Sequence, residues 1–280
     1  MSKTRTALLE PDRQYHVPAL EKALDLLELL ADAPQGMTLK DAADQLGRNS
    51  QELFRVAHCL LTRGYLLRDA SQQLRISTKL FELGSKHSSD QALAARALPH
   101  MQRFTEVTNE AGQLLIVVRD RLLTIAAAES AANVRFGLRV GALIDLFNSI
   151  NGLVALAFQP PERWPDLARR RQEFLKGRKD IVPVMTKNRQ EWELELRTIR
   201  AQAYAVADSP VIVGSRVYSA PVLGAGGSLL AVLTMSRLPR LSEQPPNDRP
   251  YIEALTACAQ AISAEFGPRQ DQEAAPSDEE

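Results

Sequence analysis

The stretch that most constrains this chain is residues 38–77, TLKDAADQLGRNSQELFRVAHCLLTRGYLLRDASQQLRIS. Leu39, Ala42, Ala43 and Leu46 recur at helical spacing, and Gly47 follows where a sharp turn needs a permissive backbone. A second helix restarts near Ser50. Its inward stripe is Leu53, Val56, Ala57, Leu60 and Leu61, which leaves Gln51, Arg55, His58 and Thr62 on the open face. Gly64 is placed to stop it. From Tyr65 to Ser77, Leu66, Leu74 and Ile76 flank a polar tip at Asp69 to Gln73, the pattern of a short hairpin with Arg68 and Arg75 free to point outwards. Two helices, a tight turn and a wing form an arrangement suited to reading duplex DNA.

Charge divides the same way. From Glu21 to Asp44 two lysines stand against six acids, a net of minus four; from Arg48 to Lys79 six basic residues stand against Glu52 and Asp69, a net of plus four. Positive charge therefore gathers where phosphates would need neutralising. The candidate DNA contacts are Arg48, Asn49, Ser50, Gln51, Phe54 and Arg55, with Arg68 and Arg75 on the wing. His58 suits either a phosphate contact or plain solvation.

Pro18 opens a preceding helix in which Leu20, Ala23, Leu24, Leu27, Leu30 and Ala31 repeat at three and four, ending near Ala33 because Pro34 follows. Leu26 and Leu29 then form a spare apolar edge for a second copy. After the wing, Thr78–Gly84 and Gln91–Val107 read as helices linking to a second domain, with Pro99 marking a break or kink. The period changes at Gln113. LLIVV and LLTIAAA make a hairpin about Arg119 to Arg121, and Val134–Val140 reads as another strand. Helices follow at Ile150–Phe158, Arg169–Lys176 and Asn188–Ala203, then strands at Arg216–Leu223 and Ser228–Ser236, and a last helix at Tyr251–Phe266. This mixture predicts an α+β fold with one sheet covered by helices.

The chain has 280 residues, 45% of them hydrophobic, enough for two domains with real cores. The expected limits are a disordered tail at 1–16, a winged helix-turn-helix domain at 17–79, a helical linker at 80–108, a sensing domain at 109–267 and a disordered acidic tail at 268–280. Two cysteines in separate predicted helices support neither a disulfide framework nor a metal cluster, and no apolar run is long enough for a bilayer. The expectation is a cytoplasmic protein with no membrane partner. All four histidines precede residue 101, so no histidine triad or imidazole metal cluster can form in the second domain without help from the first, while carboxylate chemistry stays open; no catalytic residue, metal site or cofactor is expected. The glycine run at 224–227 precedes a strand and reads as a hairpin turn rather than a phosphate cradle, and the basic run of Arg169, Arg170, Arg171, Lys176, Arg178 and Lys179 as a solvated helix face.

With these residues in view, the chain resembles the IclR family of bacterial transcription regulators over roughly residues 17–266. The resemblance is carried by VPALEKALDLLELLA, the helix-turn-helix with Arg55, RGYLLRD, LRIS followed by LFELG, and Gly214 to Val222 (GSRVYSAPV) leading to LLAVLTMS. It implies a winged-helix domain joined by a linker helix to a C-terminal α/β (GAF-like) effector-binding domain. It implies binding to double-stranded operator DNA as a homodimer or tetramer, and a pocket for a small-molecule effector, often an organic acid or aromatic compound. It places Asn148, Ser149, Asn151, Val217, Thr234 and Ser236 around that pocket. Polar residues inside apolar strands need partners, and either ordinary sheet hydrogen bonding or a ligand supplies them. The chain departs from the family pattern at Gln51 and Glu52, where glutamine can read adenine and glutamate can accept from cytosine. It also departs at Phe147, Leu153 and Val217 and at Asp208, Ser209 and Pro210, changes that imply a less polar pocket. The alternative function is a metabolite-binding protein or enzyme that uses the winged helix only for dimerisation or docking.

Overall fold

The computed structural model describes residues 17–85, 89–132, 136–176, 178, 188–238 and 247–267; the expected disordered tails fall outside these, as do Val134 and Lys179. The chain divides into two compact units, Met1–Ser88 and Ser89–Glu280.

In the first unit α1 (Pro18–Ala31) and β1 (Met37–Thr38) precede α2 (Leu39–Leu46) and α3 (Ser50–Thr62). The hairpin β2 (Leu66–Arg68) and β3 (Gln73–Ile76) follows, and then α4 (Lys79–Ser85). Side chains set the helix limits. The Thr38 hydroxyl accepts from Asp41 N–H to cap α2, Gly47 closes it at φ 61°, and the Asn49 side chain accepts from Gln51 N–H to start α3. Such caps contribute about 1 kcal/mol each. β3 lies between β1 and β2 in an antiparallel sheet. The two-residue β1 carries too little pattern to be read from sequence.

Leu26, Leu30, Ala42, Ala43, Leu53, Ala57, Leu60, Leu66 and Leu74 form this unit's core. The inward stripe of α1 corrects the sequence reading. Leu26 is fully buried, whereas Leu20 and Leu24 are 55% and 48% exposed, so the spare apolar edge runs through Val17, Leu20 and Leu24 rather than Leu26 and Leu29.

The second unit begins with α5 (Ser89–Thr108), which runs unbroken past Pro99. Leu93, Ala97, Met101 and Phe104 of this helix, read from sequence as part of a linker, pack into the unit's own core. Next come β4 (Gly112–Val118), β5 (Arg121–Ala128), β6 (Leu143–Asp145), α6 (Ile150–Ala157) and α7 (Trp164–Leu175). The unit closes with α8 (Arg189–Gln202), β7 (Ala205–Asp208), β8 (Arg216–Leu223), β9 (Leu229–Arg237) and α9 (Arg249–Ala264). Among the described residues the strands form one antiparallel sheet in the order β6-β5-β4-β9-β8-β7.

Strand alternation divides this sheet's side chains. Leu114, Tyr218, Ala220, Leu233 and Met235 face α5 and α9, while Leu115 and Val232 meet α6, α7 and α8 on the other side. The strand expected at Val134–Val140 is not one over its described part, Phe136–Val140; the strand on the side of β5 away from β4 is β6, reached through Gly141 at φ 87°. β7 pairs with β8 only as far as Ser219, leaving Pro221 beyond its reach, and the next free donor, Leu223 N–H, is taken by Ser263 Oγ at 2.9 Å. The basic run on α7 is largely matched: Arg169 pairs with Asp166, Arg170 with Asp120, and Arg171 is buried over the Trp192 ring.

Candidate nucleic-acid interface and ligand cavity

α3 carries the candidate reading face. Gln51, Phe54 and Arg55 are exposed along it, as is Ser50 at its first turn. Phe54 is 52% exposed and stacks on His58 with centroids 6.2 Å apart, so an aromatic pair stands on the open surface. Asn49 spends its side-chain oxygen on the α3 cap, 2.8 Å from Gln51 N–H, and Arg48 pairs with Asp25 of α1. Asn49 therefore fixes the start of α3, and Arg48 ties the turn before it to α1.

Glu52 is engaged in the same way. Its carboxylate receives Lys22 of α1 at 2.5 Å, and the Lys22 hydrogen bond and charge hold it below the usual carboxylate range, with Arg48 and Arg55 adding to the effect. The carboxylate that the sequence reading offers to cytosine is thus engaged by Lys22 in the chain without DNA. On the wing Arg68 is exposed with its guanidinium 3.4 Å from Gln72, and Arg75 lies 3.5 Å from Asp69. Lys79 at the start of α4 donates to Arg63 carbonyl at 2.6 Å and lies over the Tyr65 ring, which ties α4 to the end of α3.

The second unit encloses a cavity of about 620 Å³ between the N-terminus of α6, the β5–β6 ladder, the ends of β8 and β9, and the loop before β8. Asn148, Ser149, Asn151, Val217 and Ser236 line it. Thr234, expected with them, lies beneath the wall. Its hydroxyl is 2.8 Å from Asn151 Oδ1 and 2.9 Å from Tyr218 carbonyl, and Ser219 Oγ is 2.5 Å from the same Asn151 oxygen. Gln113, Thr234 and Ser219 are register partners across β4, β9 and β8, a polar row on the face toward α6. Thr234 thus orients Asn151 and does not meet the cavity.

Ser149 caps α6 by accepting from Gly152 N–H at 3.0 Å and donates to Asp145 carbonyl at 2.6 Å. Gly152 has to be glycine: a Cβ there would stand 1.8 Å from Leu146 carbonyl oxygen. Of the departures noted in the sequence, Ser209, Pro210 and Val217 line the cavity, while Phe147 and Leu153 belong to the neighbouring core. The inference of a less polar pocket is thereby corrected at those two positions.

Sequence reasoning missed two wall residues. Arg121 lies across the β5–β6 ladder from Asp145, with Nη1 3.4 Å from the carboxylate, and both line the cavity. Ser215, only 1% exposed, has a hydroxyl with no partner among the described residues. Neither carries a local signal, because the ladder pairing and the loop path that bring them to the wall join segments far apart in sequence. Among the described residues no group of three or more His, Cys, Asp or Glu is placed to hold a metal ion, and no helix is long and apolar enough to cross a membrane.

Two family models match the chain: the IclR helix-turn-helix domain over residues 19–70, and the bacterial transcriptional regulator IclR C-terminal domain over residues 86–264. The chain is 29% identical over 256 residues to the HTH-type transcriptional regulator BhcR of Paracoccus denitrificans, covering 91% of this chain and 89% of that one. The structure of an IclR homologue from Microbacterium hydrocarbonoxydans complexed with 4-hydroxybenzoate superposes with a TM-score of 0.73 at 21% identity, covering 89% and 98% of the two chains. That of an IclR transcriptional regulator from Alicyclobacillus acidocaldarius gives 0.69 at 24% identity, covering 90% and 100%.

Proposed function

The chain belongs to the IclR family of bacterial transcriptional regulators, and we propose that it is a cytoplasmic, ligand-responsive regulator that binds operator DNA as a dimer or tetramer. The observation that carries this reading is the exposed row of Gln51, Phe54 and Arg55 on α3, beside the basic wing, in a chain that also holds a walled cavity. Residues 17–79 would read DNA and residues 109–267 would sense the ligand.

Arg55 and Gln51 have the chemistry to reach base edges, and Phe54 suits the methyl group of thymine. Arg68 and Arg75 suit phosphates, which fix register without carrying sequence information. Val17, Leu20 and Leu24 give α1 an uncovered apolar edge, and pairing two copies along it would present two reading helices to paired half-sites.

The cavity volume falls in the usual range for small-molecule sites. An organic acid or aromatic compound is the proposed effector, supported by the family relative solved with 4-hydroxybenzoate. An effector that binds one arrangement of the dimer better shifts the population toward or away from the DNA-competent form, and the coupling is reciprocal.

The test is selection from a random duplex pool at near-physiological salt with the full chain. Recovery of an inverted repeat supports the reading. A well-folded chain that enriches no sequence, with or without small acids added, overturns it, and turnover of such an acid would favour the enzyme alternative.

A further inference from the structure

Resting on the reading of α3 as the helix that meets DNA, we propose that His58 is a further contact on it, an imidazolium that pairs with a backbone phosphate and so makes duplex binding take up a proton. Gln51, Arg55, His58 and Thr62 are all exposed and fall at intervals of four, three and four, one straight stripe along α3. At roughly 1.5 Å per residue, His58 stands about 10 Å along the axis from Gln51. The major groove is about 8.5 Å deep, so a helix entering by its N-terminal turn brings Gln51 and Arg55 to base edges and His58 level with the phosphates of the groove wall.

One face of the imidazole is taken by Phe54, whose ring stacks on it with planes 14° from parallel. Ring N–H groups lie in the plane of the ring, so the stack leaves them clear. His58 makes no hydrogen bond or ion pair among the described residues. Once protonated, the ring presents two N–H donors and a positive charge.

The surrounding charges leave that role open. On α3 itself Glu52 is tied to Lys22, and the other charged neighbours, Arg55 and Arg63 at the helix end, are cations. The elements packed against α3 are α1, α2 and β2. Their charged groups are Glu21, Lys22, Asp25 and Glu28 of α1, Lys40, Asp41 and Asp44 of α2, and Arg68 of β2, and none pairs with His58. The free chain therefore offers no carboxylate to hold an imidazolium here, and a phosphate does.

Histidine side chains change charge between about pH 5 and 8. A phosphate that favours the charged form is bound with proton uptake, so affinity is greatest at the acid end of this range and falls as pH rises through it.

The test is fluorescence anisotropy of the full chain with a mixed-sequence duplex at fixed salt, because a phosphate contact needs no particular sequence. From about pH 6 to about pH 8 the unchanged chain should lose roughly three- to tenfold in affinity for each His58 engaged, and its salt slope should shrink by about one unit per site. His58→Gln should bind with the high-pH affinity throughout. His58→Lys, charged across the range, should hold the low-pH affinity at both ends. A flat profile in the unchanged chain, or an equally steep one in folded His58→Gln, overturns the proposal. The two readings fail separately: sequence-selective binding that ignores pH discards the His58 contact alone, whereas a chain that binds no duplex at any pH discards the regulator reading with it.

Discussion

The Lys22 ammonium on α1 meets the Glu52 carboxylate on α3 at 2.5 Å, across thirty positions of sequence. Glu52 sits in the first turn of the reading helix, where an unscreened carboxylate would repel phosphate. Glu52→Gln should tighten binding to all duplexes alike and Lys22→Met should weaken it, both seen by fluorescence anisotropy against scrambled DNA. A change confined to one sequence would show instead that Glu52 reads a base.

The same pair gives a pH dependence of defined sign. Lys22 lowers the folded Glu52 pKa, so the pair stabilises the fold above the ordinary glutamate range and its contribution fades as pH falls through the lowered value. Because the pair is solvated the effect is small. Melting of Glu52→Gln and the unchanged chain should converge on acidification; a difference that widens instead contradicts the pairing.

Arg55→Ala should cost about 1–3 kcal/mol of specific binding while leaving the melting temperature nearly unchanged, since the residue is exposed. Arg68→Ala should differ in kind, weakening every sequence about equally and lowering the salt slope by roughly one unit. Competition assays at several salt concentrations separate the two.

Leu20→Glu with Leu24→Glu should turn an assembled species into a smaller one in sedimentation without harming the core, because these side chains are 55% and 48% exposed. Unchanged mass would move the contact between copies elsewhere.

Cys59 is exposed, whereas burial pushes the Cys258 thiol up to about 12. At pH 8 the native chain should therefore take up one maleimide and the denatured chain two, counted by mass spectrometry.

Much of the fold was legible, because helix periods, capping residues and strand alternation are local. α1 was not read correctly in detail: Leu20, Ala23, Leu24, Leu26, Leu27, Leu29, Leu30 and Ala31 surround most of the helix, so spacing could not choose the buried face. Only the position of α2 and α3 chooses it. Five residues expected around the cavity do line it; Thr234 lies below, and Arg121 and Ser215 were invisible because ladder register and loop path bring them to the wall. The ties from Lys22 to α3 and from Asp25 to the turn before it escaped notice for the same reason.

Pro221 has a consequence for self-association. Past the end of β7 no strand neighbours the rim of β8 among the described residues, the kind of edge that templates sheet growth between molecules. An incoming strand would find no amide hydrogen at Pro221 and would find the Leu223 amide already spent on Ser263. Over that short stretch the rim offers an incoming strand neither of those two donors, so growth of the sheet between molecules is left to its outer strands β6 and β7.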